Sequence, residues 1–315
     1  MKSIAVIDTG YDSYDYEREL FLEHGYELVI YNGPARVRKL QLDFAAEASG
    51  ILVRGTSIDK EAFEQMPNLK AIVRYGAGYE NIDLNTAASK GIRVANVQGY
   101  ANHSVSDHAI ALMFACIRNL NGNSIDSFGK PARQEVFELH NKTLGIIGIG
   151  RIGSHFSRKT SALFEKTVAY DPYKTAEYMQ ANNAEKIDLS ELLNKSHVIS
   201  LHCNLTDETR HILNELGFLK MQNKPVIINT SRGPTICEKD LLKALDSGRV
   251  HSAGLDVFEK EPPGKDQELL LQHPNVISTP HIAWYSDRAS NELQKRAADN
   301  MLALLSGKHV DDELH

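Results

Sequence analysis

The stretch Leu144-Gly145-Ile146-Ile147-Gly148-Ile149-Gly150-Arg151-Ile152-Gly153 decides the fold of this chain. An apolar run of strand type enters a Gly-x-Gly-x-x-Gly turn, and a helical pattern follows. Each glycine has its own physical reason. Gly148 permits a tight turn. Gly150 has no Cβ, so a pyrophosphate can approach the backbone. Gly153 lets the next helix pack close to the strand. Phosphates then lie beside Arg151 and Ile152, at a helix start whose unpaired N–H groups and dipole favour negative charge.

A second strand, Thr167-Val168-Ala169-Tyr170, ends in Asp171, 18 residues after Gly153. A dinucleotide-binding unit places an acid about 20 residues beyond its glycines, where it bonds the adenosine ribose. A carboxylate there repels the extra phosphate of NADP, so NAD is the expected cofactor. The plainer alternative is that Asp171-Pro172 only starts a turn.

Working outward, short β-rich runs alternate with helical stretches. The early strands are read at 4–7, 28–31, 51–54, 71–74 and 94–97. The later ones are read at 144–147, 168–170, 198–201, 226–229, 253–255 and 276–277. This alternation marks doubly wound parallel sheets with helices on both faces, and eleven strands fit two α/β domains. A helix from about Ser104 to Asn119, opened by the capping-box pattern Ser104-Val-Ser-Asp107, joins them. A last helix, Ser286 to Leu305, is expected to return to the first domain.

Composition narrows the function. A net charge of −6 argues against nucleic acid and anionic membranes as partners. Cys116, Cys203 and Cys237 show no CxxC spacing, which fits a reduced, cytoplasmic chain. The start lacks a signal-peptide core. The apolar run Ala109 to Ile117 is far below the ~18 residues of a membrane span. With no His-Glu-x-x-His and no clustered cysteines, no metal is expected.

Ligands of open α/β sheets bind beyond the carboxyl ends of the strands. In the second half, those ends carry the glycine turn, Asp171, His202-Cys203-Asn204, Asn229-Thr230-Ser231-Arg232-Gly233, Asp256 and Thr279-Pro280-His281. Six strand ends thus bring polar residues to one crevice. Histidine titrates near neutrality and both takes and gives protons, which suits His281 to hydroxyl–carbonyl chemistry. Glu261 is a carboxylate able to orient that imidazole, with Glu259 as its neighbouring competitor. Arg232 offers a planar fork for a carboxylate.

The chain resembles the D-isomer-specific 2-hydroxyacid dehydrogenases over essentially its whole length. The resemblance rests on Tyr75-Gly-Ala-Gly-Tyr-Glu-Asn-Ile-Asp83, the 144–153 stretch, Asn229-Thr-Ser-Arg-Gly233, Asp256-Val-Phe-Glu-Lys-Glu-Pro262 and Thr279-Pro-His-Ile282. It implies a Rossmann NAD domain, 101–285, inserted in a flavodoxin-like substrate domain, 1–100 plus 286–315. It implies hydride transfer between nicotinamide and C2 of a small D-2-hydroxy acid, with Arg232, Glu261 and His281 as the catalytic trio. His202, Cys203, Thr230, Ser231 and Asp256 then fall to the cofactor, Asp256 on the nicotinamide side. The loop Gly76-Ala77-Gly78 falls to the substrate carboxylate, which Arg232 and His281 also face. Arg54 is a further cation, suited either to a distal phosphate or carboxylate or to a structural ion pair. The resemblance also implies a homodimer.

Departures from the family pattern are Gln98, Glu165, Asn204, Pro234 and Cys237. The Trp284-Tyr285 pair is similar to NAD(H)-sensing corepressors of the same fold. This leaves a scaffold without turnover as the alternative function.

Overall fold

The computed structural model describes residues 1–120 and 135–314. Contacts divide the chain into two compact units, Met1–Ala101 with Ser286–His315, and Asn102–Tyr285. Among the described residues the strands are β1 (Lys2–Val6), β2 (Tyr26–Ile30), β3 (Gly50–Val53), β4 (Ala71–Arg74), β5 (Arg93–Ala95), β6 (Thr143–Ile147), β7 (Lys166–Tyr170), β8 (Glu185–Lys186), β9 (Val198–Leu201), β10 (Val226–Asn229), β11 (Ser252–Leu255), β12 (Val276–Ser278) and β13 (Glu313–Leu314). Two of these, β8 and β13, add to the eleven expected. Each has two residues, too few for a hydrophobic period to register.

The first unit has the sheet order β13-β5-β4-β3-β1-β2. Its first five strands are parallel in the flavodoxin-like order 2-1-3-4-5, and β13 pairs antiparallel to β5. β3 is buried along its whole length, as a strand covered on both faces must be. The helix Asp287–Leu305 packs on this sheet through Leu293, Ala297, Met301 and Leu304. Its start is capped by Ser286, whose Oγ accepts from Ala289 N–H.

The second unit has the order β12-β11-β10-β9-β6-β7-β8, all parallel. That is the dinucleotide-binding order, with a switch point between β6 and β9. Alternate residues of each strand enter opposite cores. Leu144, Ile146, Val226 and Ile228 face one side, and Ile147, Ile199 and Ile227 the other. Each such aliphatic side chain contributes about 1.5–3 kcal/mol of burial.

The first-named core also takes Ala109, Leu112, Met113 and Cys116 from the helix Asn102–Ile117. This helix starts two residues earlier than the capping pattern predicted. Ser104 is not its cap: its Oγ donates to the Ala283 and Tyr285 carbonyls. A tertiary bond has replaced the local one.

A groove of the first unit, about 930 Å³, lies at the amino ends of its strands, beside Lys2, Ser49, Lys70 and Gly91. The chemistry-bearing residues lie at the opposite, carboxyl ends.

Candidate active site

The three glycines of the turn differ in what a side chain would meet. Gly148 has φ +86°, and a Cβ there would lie 2.6 Å from Cys203 N. A Cβ on Gly153 would lie 2.2 Å from the Gly148 carbonyl oxygen, so only glycine permits this contact. A Cβ on Gly150 would meet nothing within 4 Å. The open side of the turn is therefore at the glycine that starts the helix Arg151–Thr160. Arg151 is exposed on its first turn and Ile152 half-buried.

Asp171 accepts from two backbone N–H groups. Its Oδ2 accepts from Ile149 N–H at 3.0 Å, which ties it to the glycine turn. Its Oδ1 accepts from Tyr173 N–H at 3.0 Å, which makes it a turn residue as well.

At the end of β9, burial pushes the His202 imidazole down to about 3, so the ring is neutral. Its Nε2 lies 2.9 Å from Ser200 Oγ, while its buried Nδ1 has no protein partner. Thr230 Oγ1, at the end of β10, is likewise buried without a partner. Unsatisfied buried polar atoms are rare in native proteins. Two of them at the carboxyl ends of strands beside the glycine turn fit a dinucleotide that would bond them. Burial also pushes the neighbouring Cys203 thiol up to about 11, so it stays protonated.

Ser231 and Asp256 both have partners within the protein. Ser231 turns inward: its N–H and Oγ both donate to Asn229 Oδ1, at 3.0 and 2.8 Å. Asp256 is 1 % exposed and holds the loop of His281. Its Oδ1 accepts from Thr279 Oγ1 at 2.6 Å and Ile282 N–H at 2.9 Å, and its Oδ2 from Ala283 N–H at 2.9 Å. These three hydrogen bonds tie Asp256 to the loop that carries His281.

The expected trio comes together within the second unit. His281 Nδ1 lies 2.6 Å from Glu261 Oε2, and Glu261 Oε1 accepts from Phe258 N–H at 3.1 Å. Partial burial alone would raise the Glu261 carboxyl. The His281 hydrogen bond and charge, the Phe258 N–H and the Arg232 charge outweigh it and hold the group below the ordinary glutamate range. Glu261 is therefore a carboxylate at neutral pH. With Nδ1 so engaged, Nε2 is the nitrogen left for a substrate. Trp284 Nε1 donates to the His281 carbonyl and braces the same turn, in which His281 has φ +56°.

Arg232 follows from the Asn229 turn. Asn229 Nδ2 donates to the Arg232 carbonyl at 3.0 Å, and Arg232 Nη1 donates to the Ser231 carbonyl at 2.8 Å. A Cβ on Gly233 would fall 1.9 Å from Phe258 backbone atoms, so this glycine lets the Arg232 turn touch the Glu261 loop. Glu259, the competitor for the catalytic role, meets His211 instead, with its Oε1 2.6 Å from Nε2.

In the first unit, Gly76, Ala77 and Gly78 follow β4. The Gly76 carbonyl accepts from Val97 N–H and the Ala77 carbonyl from Asn96 Nδ2. Gly76 has φ +128°, and a Cβ there would meet the Arg74 guanidinium. Arg54, at the end of neighbouring β3, sets its guanidinium over the Tyr11 ring, 5.2 Å from the centroid.

Asp8, at the end of β1, fixes the Arg54 backbone. Its Oδ2 accepts from Arg54, Gly55 and Thr56 N–H, and its Oδ1 from Gln41 Nε2 and Thr56 Oγ1. Burial raises this carboxyl, but the five bonds prevail and hold it low. Sequence reasoning missed Asp8 and Arg74. Their shared signal was a charged residue at a strand's carboxyl end.

Comparison with known proteins agrees with this geometry. Residues 110–283 match the family described as D-isomer specific 2-hydroxyacid dehydrogenase, NAD binding domain. A hydroxypyruvate reductase of Blautia hydrogenotrophica is 38% identical over 274 residues, 84% of each chain. This chain belongs to the D-isomer-specific 2-hydroxyacid dehydrogenases. Its cofactor is NAD, and its reaction moves a hydride between nicotinamide and C2 of a small 2-hydroxy or 2-oxo acid. A D-3-phosphoglycerate dehydrogenase of Archaeoglobus fulgidus is 34% identical over 314 residues, 98% of this chain and 58% of the relative. A D-lactate dehydrogenase structure from Aquifex aeolicus, complexed with NAD and lactic acid, superposes with a TM-score of 0.86 at 29% identity. It covers 97% of this chain and 96% of that one. These relatives are enzymes, and the corepressor-like reading of Trp284-Tyr285 finds no support among them. No described helix is long and apolar enough to cross a membrane.

Proposed function

We propose that the chain reduces a short 2-oxo acid carrying a second anionic group, with His281 as proton donor. The observation that carries the chemistry is the 2.6 Å contact between His281 and Glu261, next to the charge of Arg232. NADH, when bound, supplies the hydride that reaches C2. Gly148, Gly150, Gly153, Asp171, His202 and Thr230 would hold it.

The rest falls to the chain's own side chains. Arg232 pairs with the substrate carboxylate and polarises the adjacent carbonyl. His281 gives its Nε2 proton to the carbonyl oxygen as the C–H bond forms. Glu261, ionised, stabilises the imidazolium beforehand and fixes the ring through Nδ1. In the oxidative direction the same nitrogen takes the hydroxyl proton back.

The substrate class follows from two guanidiniums at neighbouring strand ends. Arg54 and Arg74 stand at the carboxyl ends of β3 and β4, in the unit that carries the Gly76–Gly78 loop, and a guanidinium pairs in bidentate fashion with a phosphate or carboxylate. The enzyme is further read as a cytoplasmic homodimer, on the family resemblance, and light scattering on the purified protein checks the dimer.

The test is NADH oxidation with 3-phosphohydroxypyruvate, hydroxypyruvate, glyoxylate, pyruvate and 2-oxoisocaproate. 3-Phosphohydroxypyruvate is expected to give the highest kcat/KM, and Arg54→Ala to lower it by about 10- to 100-fold while sparing pyruvate. Equal turnover of pyruvate and the phosphorylated acid contradicts the proposal.

A further inference from the structure

The loop that carries Glu261 holds a second glutamate two residues earlier, and that residue sits in a different constellation. One ligand atom from each of His211, Cys237 and Glu259 lies within 4.8 Å of the others. The three come from separate segments, after β9, β10 and β11, so no sequence spacing announces them.

The backbone of each is fixed by its neighbours. His211 N–H donates to the Pro234 carbonyl at 2.8 Å, Leu213 N–H to Thr235 at 3.2 Å, and Cys237 N–H to Leu213 at 2.9 Å. Glu259 N–H donates to Glu238 Oε1 at 2.7 Å, and Glu238 Oε2 accepts from Gln267 Nε2 at 2.9 Å. His211 is also held at φ +52°, a left-handed conformation that costs a β-carbon residue of order 1 kcal/mol or more. Such strain persists only where the surroundings over-determine it.

The donor set has a definite chemistry. A thiolate, an imidazole and a carboxylate together suit zinc better than magnesium or calcium, which prefer oxygen alone. Zinc–ligand bonds of about 2.3 Å to sulfur and 2.0–2.2 Å to nitrogen and oxygen set donors roughly 3.5 Å apart in a tetrahedron. The His211 and Glu259 donors, now 2.6 Å apart, would open to that value on binding. Asp240 hydrogen-bonds the Cys237 sulfur, an outer partner of the kind that orients metal ligands.

We propose that His211, Cys237 and Glu259 form a three-ligand site for Zn²⁺, separate from the Glu261–His281 pair, with solvent in the fourth position. Binding exchanges the His211–Glu259 hydrogen bond for two metal bonds: the proton that His211 Nε2 shares with Glu259 leaves that nitrogen, to solvent or by a shift of tautomer to Nδ1, and the thiol proton leaves to solvent. The site does not depend on the substrate assigned above.

The test titrates the tag-free full chain with Co²⁺, a spectroscopic stand-in for Zn²⁺. A sulfur-to-cobalt charge-transfer band should grow to one equivalent and be bleached by Zn²⁺. Cys237→Ser should abolish it, and Cys203→Ser should leave it. Outer-shell changes alone typically cost 10–100-fold in affinity, so His211→Ala should weaken Zn²⁺ by at least about 100-fold in competition with a chelator. Circular dichroism of each variant confirms that it folds. No band in the folded wild-type protein, or an undiminished band in Cys237→Ser, overturns the proposal.

Discussion

Two histidine–glutamate pairs share one loop of this molecule. His281 meets Glu261 and His211 meets Glu259, each at 2.6 Å. Both histidines have positive φ, +56° and +52°. Their side-chain exposures are also alike, 44% and 41%. Distance, strain and burial therefore do not separate them.

The difference lies in what surrounds each pair. Glu261 receives the Phe258 N–H and the Arg232 charge, and it grips His281 by Nδ1, leaving Nε2 for a substrate. Glu259 grips His211 by Nε2, with the Cys237 sulfur close by. One arrangement suits proton transfer to a bound carboxylate substrate, the other a thiophilic cation. A short His–Glu contact is thus no signature of catalysis until its third neighbour is named.

The comparison breaks first at the histidines. His281→Ala should lower kcat by about 10²–10⁴-fold in NADH oxidation, the usual worth of a general acid. The loss at His211→Ala should be at least about tenfold smaller. Equal losses would mean that the two pairs act as one site.

The glutamates sharpen it next. Glu261→Gln should reduce kcat by about 10²-fold, since the orienting charge goes but the acid remains. The sign with pH follows from the depressed Glu261 carboxyl. The carboxylate–imidazole bond is complete at neutral pH and is lost as pH falls through that lowered value. The acid-side loss of kcat/KM that comes from this bond should vanish in Glu261→Gln and persist in Glu259→Gln.

Arg232→Ala should cost about 10- to 100-fold in kcat/KM for the 2-oxo acid, the scale of one or two charged hydrogen bonds, and leave the NADH Kd unchanged. Equal weakening of NADH would move Arg232 to the cofactor. The smallest effect belongs to Asp171. Its removal relieves one like-charge contact with NADP, about 1 kcal/mol, so the NAD-to-NADP preference should fall about fivefold. An unchanged ratio would leave Asp171 a turn residue alone.

Much of this was legible in the residues because strand ends in a parallel sheet converge whatever the loops do. Gly148, Gly150 and Gly153 could be given separate duties from spacing alone, since each duty is set by the missing Cβ. His281 stood out as a polar residue soon after an apolar strand, whereas Arg232, in the same kind of position, was decided by the family resemblance. Glu259 and Glu261 could not be told apart. They lie two residues from each other in one polar stretch, and only the tertiary path gives each its own histidine.

Asp256 is legible as a strand-end acid, but nothing local shows that its oxygens reach forward to Thr279, Ile282 and Ala283. Ser104 was misjudged for the opposite reason. Its local pattern favoured a cap, and the Ala283 and Tyr285 carbonyls outcompeted it. The His211–Cys237–Glu259 cluster was illegible, since its members come from three loops with no common spacing.

The most direct measurement is a single turnover with enzyme in excess over NADH, for wild type and His281→Ala, on addition of a 2-oxo acid. Both proteins should bind NADH equally. Wild type should then oxidise all of it, while the variant holds it reduced for at least about 100 times longer. Oxidation by His281→Ala at the wild-type rate would contradict His281 as the proton donor. So would a wild-type protein that binds NADH and leaves it reduced with every 2-oxo acid.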